Sequence, residues 1–144
     1  MGYSDLVAGA LLKAGSDAII AADQNNIVRF WNPGAERIFG YTHDEAVGQS
    51  LDIIIPERLR KRHWDGYQRV MAGGDSRYSH GDILAVPGVR KDGTAISIEF
   101  TIAPLADNAG LLTGMVAVIR DVTAKFEEMR ALRRKLAEAS KAPT

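Results

Sequence analysis

The chain has 144 residues, 46% hydrophobic and 25% charged, ordinary proportions for one globular domain with a real core. Its 18 Lys and Arg balance 18 Asp and Glu, so the basic excess of a dedicated nucleic-acid binder is missing. It contains no cysteine, which excludes disulfides, thiolate metal sites, cysteine nucleophiles and cysteinyl-flavin photochemistry.

Ser4 is placed to cap a first helix, Leu6, Val7, Ala10 and Leu11 fall on one face, and Gly15 ends it. Asp17 to Asp23 (DAIIAAD) and Ile27 to Trp31 (IVRFW) read as two strands, joined into a hairpin by Asp23-Gln24-Asn25-Asn26. The period then changes. Asn32 caps a helix that has Pro33 at its first position, Ala35, Ile38 and Phe39 as its apolar stripe, and Gly40 at its close. Thr42 and Glu45 form a capping box for a further helical turn, and Gln49 to Ile55 is a short apolar segment stopped by Pro56. A longer helix follows from Glu57 to Met71, ended by Gly73-Gly74. On it Leu59, His63, Gly66, Tyr67 and Val70 form the inward stripe, while Arg58, Arg60, Lys61, Arg62 and Arg69 mostly lie on a solvated face.

The last third is strand-like: Arg77 to Val86, Thr94 to Leu105 and Leu111 to Val122. Lys91-Asp92-Gly93-Thr94 is a hairpin signal, because Asp-Gly accepts positive φ, and Asp107-Asn108-Ala109-Gly110 makes the next turn. Ile96, Ile98, Phe100 and Ile102 share one face, with Ser97, Glu99 and Thr101 on the other. The final strand is apolar on both faces, as expected of a central strand covered on both sides. From Thr123 to Ala139 the period is helical again, and Met129, Leu132, Leu136 and Ala139 form a coiled-coil-like seam about two heptads long. That is too short to be stable alone but long enough to pair on a folded platform. Strands split by a helical excursion indicate an α+β domain with one antiparallel sheet.

Four segments, in this order, carry a family resemblance: Asp17–Asp23, Ile27–Tyr41, the turn Arg90-Lys91-Asp92-Gly93-Thr94, and the junction Arg120-Asp121-Val122-Thr123. Together they resemble the PAS family of sensor domains across nearly the whole chain. The resemblance implies a five-stranded antiparallel sheet capped by helices on one face. It divides the chain into an N-terminal flanking helix (1–15), a PAS core (16–122) and a C-terminal signalling and dimerisation helix (123–144). Such domains hold flavin, haem, hydroxycinnamoyl chromophores, small metabolites or nothing, and the missing cysteine removes the covalent flavin and cinnamoyl types. The fold alone does not settle the function.

Haem needs an axial ligand, usually His. His43 lies in a polar turn and His80 in a predicted strand, both suited to the surface, whereas His63 belongs to the inward stripe. The segment Arg62–Arg69 resembles the ligand helix of rhizobial oxygen-sensing haem PAS kinases, in which a proximal His is followed six residues later by an Arg near the haem propionates. His63 and Arg69 match that pair. The position of the kinases' oxygen-binding distal Arg falls near Ile83 or Leu84, which implies sensing of CO, NO or redox state rather than polar stabilisation of oxygen. Against this stands a plainer reading, a core histidine satisfied by one hydrogen bond. Leu59, Tyr67, Ile98, Phe100 and Ile102, with Ile53, Ile55, Val70 and Ile96, are the expected pocket walls; equally, they are ordinary core.

No nucleophile elbow, P-loop, zinc-protease motif or Rossmann glycine pattern appears, so catalysis is not expected. Arg130, Arg133, Arg134 and Lys135 interleave with Glu127, Glu128 and Glu138, which suits coiled-coil flanks better than a phosphate-tracking strip. No apolar run approaches the ~20 residues of a membrane span, and Met1-Gly2-Tyr3-Ser4 lacks the start of a secretion signal, so a cytoplasmic location is expected. The expected role is a homodimeric signal-input module in which pocket occupancy shifts the C-terminal helix, with Asp121 and Thr123 coupling the sheet to it. The competing role is a ligand-free dimerisation scaffold. The downstream effector is not identified by the sequence.

Overall fold

A computed structural model describes residues 2–72 and 84–141. The described residues form one five-stranded sheet in the order β2-β1-β5-β4-β3, flanked by five helices. The strands are β1 (Ala18–Asp23), β2 (Val28–Trp31), β3 (Leu84–Val89), β4 (Ala95–Ala106) and β5 (Leu112–Asp121), and every pairing is antiparallel. The helices are α1 (Tyr3–Leu12), α2 (Pro33–Phe39), α3 (His43–Ala46), α4 (Arg60–Met71) and α5 (Thr123–Lys141). Short 3-10 turns at Leu51–Ile54 and Glu57–Leu59 lead into α4, so the predicted helix from Glu57 forms with its first turn tightened. The proposed terminator Gly73-Gly74 and the N-terminal part of the predicted strand from Arg77 lie outside the described residues.

Local chemistry explains most boundaries. The Asn32 side chain accepts from the Ala35 N–H, Pro33 occupies the first helical position, and Gly40 closes α2 at φ +85°, a conformation that suits a residue without Cβ. Thr42 and Glu45 make the reciprocal capping box expected of α3. The Arg90–Thr94 turn is closed by Gly93 at φ +88°, with its N–H on the Arg90 carbonyl at 2.9 Å. The first helix differs from expectation: it begins at Tyr3 after Gly2, and Ser4 lies inside its first turn. Asp5 takes the capping role instead, accepting the Gly2 N–H at 3.3 Å at the end where the helix dipole favours an anion. The helix also ends earlier, with Lys13 as its cap rather than at Gly15.

The core lies on one face of the sheet. Ala18, Ile20, Ile98 and Ile119 meet Trp31, Ala35, Ile38, Phe39 and Ile54 in a single buried cluster. Trp31 and Phe39 pack at a ring separation of 5.8 Å, tilted by 47°, and the Trp31 indole donates to the Tyr41 carbonyl at 3.0 Å. Burying each such aromatic contributes on the order of 2–3 kcal/mol. A second, smaller cluster of Ala22, Tyr67 and Met115, with Val70, Met71 and Ile102 against it, joins α4 to the other end of the same face. Pro87 sits in β3, an edge strand, where its missing N–H is tolerated.

The expectation for the final strand needs correction. β5 is the central strand, but it is not covered on both sides: Val118 keeps 38% of its surface exposed. The reason is that both core clusters draw their β5 residues from one parity, Met115, Ala117 and Ile119, so Val116 and Val118 project from the opposite face.

Candidate functional site

The site is assembled on α4, the 3-10 turn at Leu51–Ile54, and the end of β1. Tyr67 anchors α4: its hydroxyl donates to the carbonyls of Ala22 (3.2 Å) and Asp23 (2.5 Å), where β1 runs into its turn. Burial, helped by the Asp23 charge, pushes the Tyr67 phenol up to about 12, so it stays a donor at any physiological pH. Tyr67 is therefore a tether as much as a wall.

His63 lies one turn before Tyr67, its ring 5.9 Å from the tyrosine ring and tilted by 31°. It is half-buried, and its Nδ1 is buried without a hydrogen-bond partner. Burial holds its pKa below the ordinary histidine value, although the Asp52 charge pulls the other way. It is thus a neutral imidazole at neutral pH, the protonation state a metal ligand needs.

Two further unpaired polar groups stand on the elements around α4, and sequence reasoning singled out neither. Asp52 binds the Trp64 indole N–H through Oδ2 at 3.3 Å, while its Oδ1 is buried and unpartnered. Asn26, fully buried at φ +63°, leaves both side-chain amide atoms unpartnered, while its carbonyl accepts the Leu51 N–H at 2.9 Å. The available signals were an acidic residue inside an apolar segment and an Asn at the left-handed end of a turn.

The remaining site residues are distributed unevenly. Ile98 is buried in the main cluster with Phe100 packed against it, and Ile102 packs on the Tyr67 cluster. Leu59 is half-buried on the 3-10 turn before α4, and Arg69 is exposed. Leu84 opens β3 opposite Phe100, whereas Ile83 and His80 lie outside the described residues. His43 is exposed, as expected. No cluster of three or more His, Asp or Glu able to hold a metal by themselves occurs among the described residues.

The base of α5 forms a separate polar junction. The Thr123 hydroxyl oxygen accepts the Ser97 N–H at 3.0 Å and donates its own proton to Asp121, while the Thr123 N–H reaches the same carboxylate at 3.0 Å. Arg120 pairs with Asp17 at 3.4 Å across a cleft of about 520 Å³, which ties the start of β1 to the end of β5. Beyond this junction α5 is exposed: Met129 by 45%, Leu132 by 52% and Leu136 by 68%, with Ala139 also exposed. Phe126, which the sequence reading left out of the seam, is 41% exposed on the same helix. No helix among the described residues is long and apolar enough to cross a membrane.

Comparison with known proteins places this architecture. Residues 12–126 match the PAS fold family. The chain is 33% identical over 108 residues to the sensor protein FixL of Bradyrhizobium diazoefficiens, covering 74% of this chain and 21% of that protein. It is 26% identical over 114 residues to the oxygen sensor protein DosP of Escherichia coli, covering 79% of this chain and 14% of that one. A blue-light photoreceptor of Listeria innocua is 29% identical over 136 residues, covering 92% of this chain and 51% of its own length. The chain thus spans about a fifth or less of the two sensor proteins. With a family match across most of its length and helices packed on one face of a β2-β1-β5-β4-β3 antiparallel sheet, the chain belongs to the PAS-fold family.

Proposed function

We propose that this chain is a sensory input domain that holds haem through His63 and passes the state of its pocket to the C-terminal helix. The observation that carries this reading is the buried, unpartnered Nδ1 of a neutral His63 on a helix pinned to the sheet by Tyr67. An imidazole held there with unspent hydrogen-bonding capacity suits an axial ligand better than a core residue. Its matches to a sensor protein and an oxygen sensor agree with that chemistry, and the absence of cysteine weighs against a covalent flavin photoreceptor. Haem, when bound, supplies a centre for diatomic gases or for a redox change. Leu59, Tyr67, Ile98, Phe100 and Ile102 are assigned to its walls, and the exposed Arg69 to its propionates. With aliphatic residues at the distal position, CO, NO or redox state is the signal this reading favours.

On this reading residues 1–15 and 123–144 flank a sensory core of 16–122 in a cytoplasmic homodimer that binds no nucleic acid. Asp121 and Thr123 transmit sheet movement, because they fasten α5 to the Ser97 backbone of β4. Met129, Leu132, Leu136 and Ala139 form the dimer seam. A parallel pairing places Glu128 of one copy five residues before Arg133 of the other, the spacing of a flanking ion pair. The effector belongs to whatever protein this module serves.

Reconstitution with hemin tests the assignment: the purified protein is expected to show a Soret band that His63→Ala abolishes. A band unchanged in His63→Ala, or no band in either protein, overturns it. A second reading, a ligand-free scaffold, draws on the exposed Leu6, Val7 and Leu11 of α1 together with the α5 seam. Mass spectrometry of molecules extracted from native preparations separates the two, since only a sensor carries a co-purifying ligand.

A further inference from the structure

No residue of α1 is buried, so the packing of its own side chains does not place it. Its position is set by the four residues that join it to β1. The Ala14 carbonyl accepts from the Asn32 side chain at 3.1 Å and from the Gly34 N–H at 3.2 Å, and the Asp17 carbonyl accepts from the same Asn32 amide at 3.0 Å. Between them Arg37 donates through Nε to the Gly15 carbonyl (2.7 Å) and through Nη2 to that of Ser16 (2.5 Å). Every carbonyl from Ala14 to Asp17 is therefore held by α2 or its cap. The approach is close enough that a Cβ on Gly34 would lie 1.9 Å from the Asp17 oxygen. The Ala14 N–H bonds back to the Leu11 carbonyl at 3.2 Å, so no unbonded residue separates α1 from the segment that is held.

The same segment borders the base of α5. Ala18 lies opposite Ile119, and the next residues outward, Asp17 and Arg120, form an ion pair at 3.4 Å. Ser16, Asp17 and Arg37 line one cleft with Asp121, Thr123 and Glu127. The base of α5 is itself fixed to β4, because the Val122 N–H donates to the Ser97 carbonyl at 2.9 Å and the Thr123 hydroxyl oxygen accepts from the Ser97 N–H. We infer that residues 14–17 are a clasp, with Arg37 as its positioning residue, that holds α1 in a fixed relation to the base of α5, so that the two flanking helices move as one body. A planar guanidinium bonded to two successive carbonyls fixes direction as well as position, whereas the bonds at Ala14 alone leave a pivot. A displacement imposed on α1 then reaches α5 without passing through the pocket, and the inference holds whatever the pocket contains.

The absence of cysteine lets spin labels be placed at will. Labels at Ala8→Cys on α1 and Lys125→Cys on α5, both exposed positions, report the distance between the helices by pulsed electron paramagnetic resonance. Dilution into an excess of unlabelled chain confines the signal to pairs within one molecule. One narrow distance distribution is expected with Arg37 in place. Arg37→Ala is expected to broaden it toward the spread of roughly 10 Å that four unheld residues reach. A broad distribution with Arg37 present, or the same width in Arg37→Ala, overturns the inference. A second pair, Gln24→Cys with Lys125→Cys, is expected to stay narrow in both backgrounds. Broadening of that pair in Arg37→Ala also overturns the inference, because the loosening then belongs to the whole fold. If Arg37→Ala fails to fold, Arg37→Lys serves: it keeps the charge without the fork, an intermediate width is expected, and an unchanged width counts against the clasp.

Discussion

Two buried asparagines, six positions apart, divide the molecule into regions with opposite polar accounting. Asn32 uses its whole side chain: Oδ1 accepts from Ile19 (2.8 Å) and Ala35 (2.9 Å), and Nδ2 donates to Ala14 (3.1 Å) and Asp17 (3.0 Å). It binds the segment before β1, β1 itself and α2 into one unit. Asn26 is as deeply buried and uses none of its side chain. Asp52 and His63 also keep unpaired buried atoms, His63 on α4 and Asp52 on the 3-10 turn tied to α4 through Trp64. Buried polar groups are normally satisfied, since each one left bare costs about 1–3 kcal/mol. The α2 region is therefore built for stability, and the α4 region retains polar capacity of the kind a ligand uses.

The comparison can be broken by measurement. The largest effect is expected for Asn32→Ala, which strips partners from the Ile19 and Ala35 N–H groups and from two carbonyls. A loss of about 3–5 kcal/mol is expected in urea denaturation. A loss below about 1 kcal/mol would mean that water replaces the side chain. Tyr67→Phe comes next: it cuts the tether from α4 to the end of β1 and is expected to cost about 1–2 kcal/mol, with faster amide exchange concentrated in α4. Asn26→Gly should cost less than about 1 kcal/mol in the ligand-free protein, because glycine accepts φ +63° and no hydrogen bond is lost. A penalty as large as that of Asn32→Ala would abolish the distinction between the two regions.

The pH dependence gives the smallest and most specific signal. Because burial depresses the His63 pKa, the unfolded chain binds this proton more tightly than the folded one. The contribution is favourable above the unfolded value of about 6.5 and is lost as pH falls from there toward the lower folded pKa. Ligand-free protein should therefore lose stability in denaturation series run downward from neutral pH. His63→Leu should flatten that part of the profile, and an unflattened profile would assign the proton uptake to other groups. For the seam, Leu132→Glu should convert a sedimenting dimer to monomer at tens of micromolar, whereas a wild type already monomeric at that concentration would rule the seam out.

Most of the fold was legible because its signals are local. The Asn32-Pro33 start, the Gly40 stop, the Thr42–Glu45 box and the Asp92-Gly93 turn each act within a few residues, and each appears where expected. Even there, competition between neighbours was opaque: whether Ser4 or Asp5 serves the first helix depends on which geometry wins, and Asp5 does. The site was legible only in part. The helical period identified the stripe that carries His63 and Tyr67. It could not show that Tyr67 reaches β1, 45 positions away, or that Asp52 and Asn26 remain unpaired.

By itself, the sequence determined the elements, their order, the inward stripe of α4 and, through the missing cysteine, which cofactor attachments are closed to this chain. These follow from periodicity, backbone preference and side-chain chemistry, which are properties of short windows. Only the tertiary structure decided that β5 is central yet open on one face, that Tyr67 is a tether, and that the Nδ1 of His63 is buried and unpaired. Hydrogen-bond satisfaction is a sum over every group that folding brings near, and no short window of sequence contains that sum.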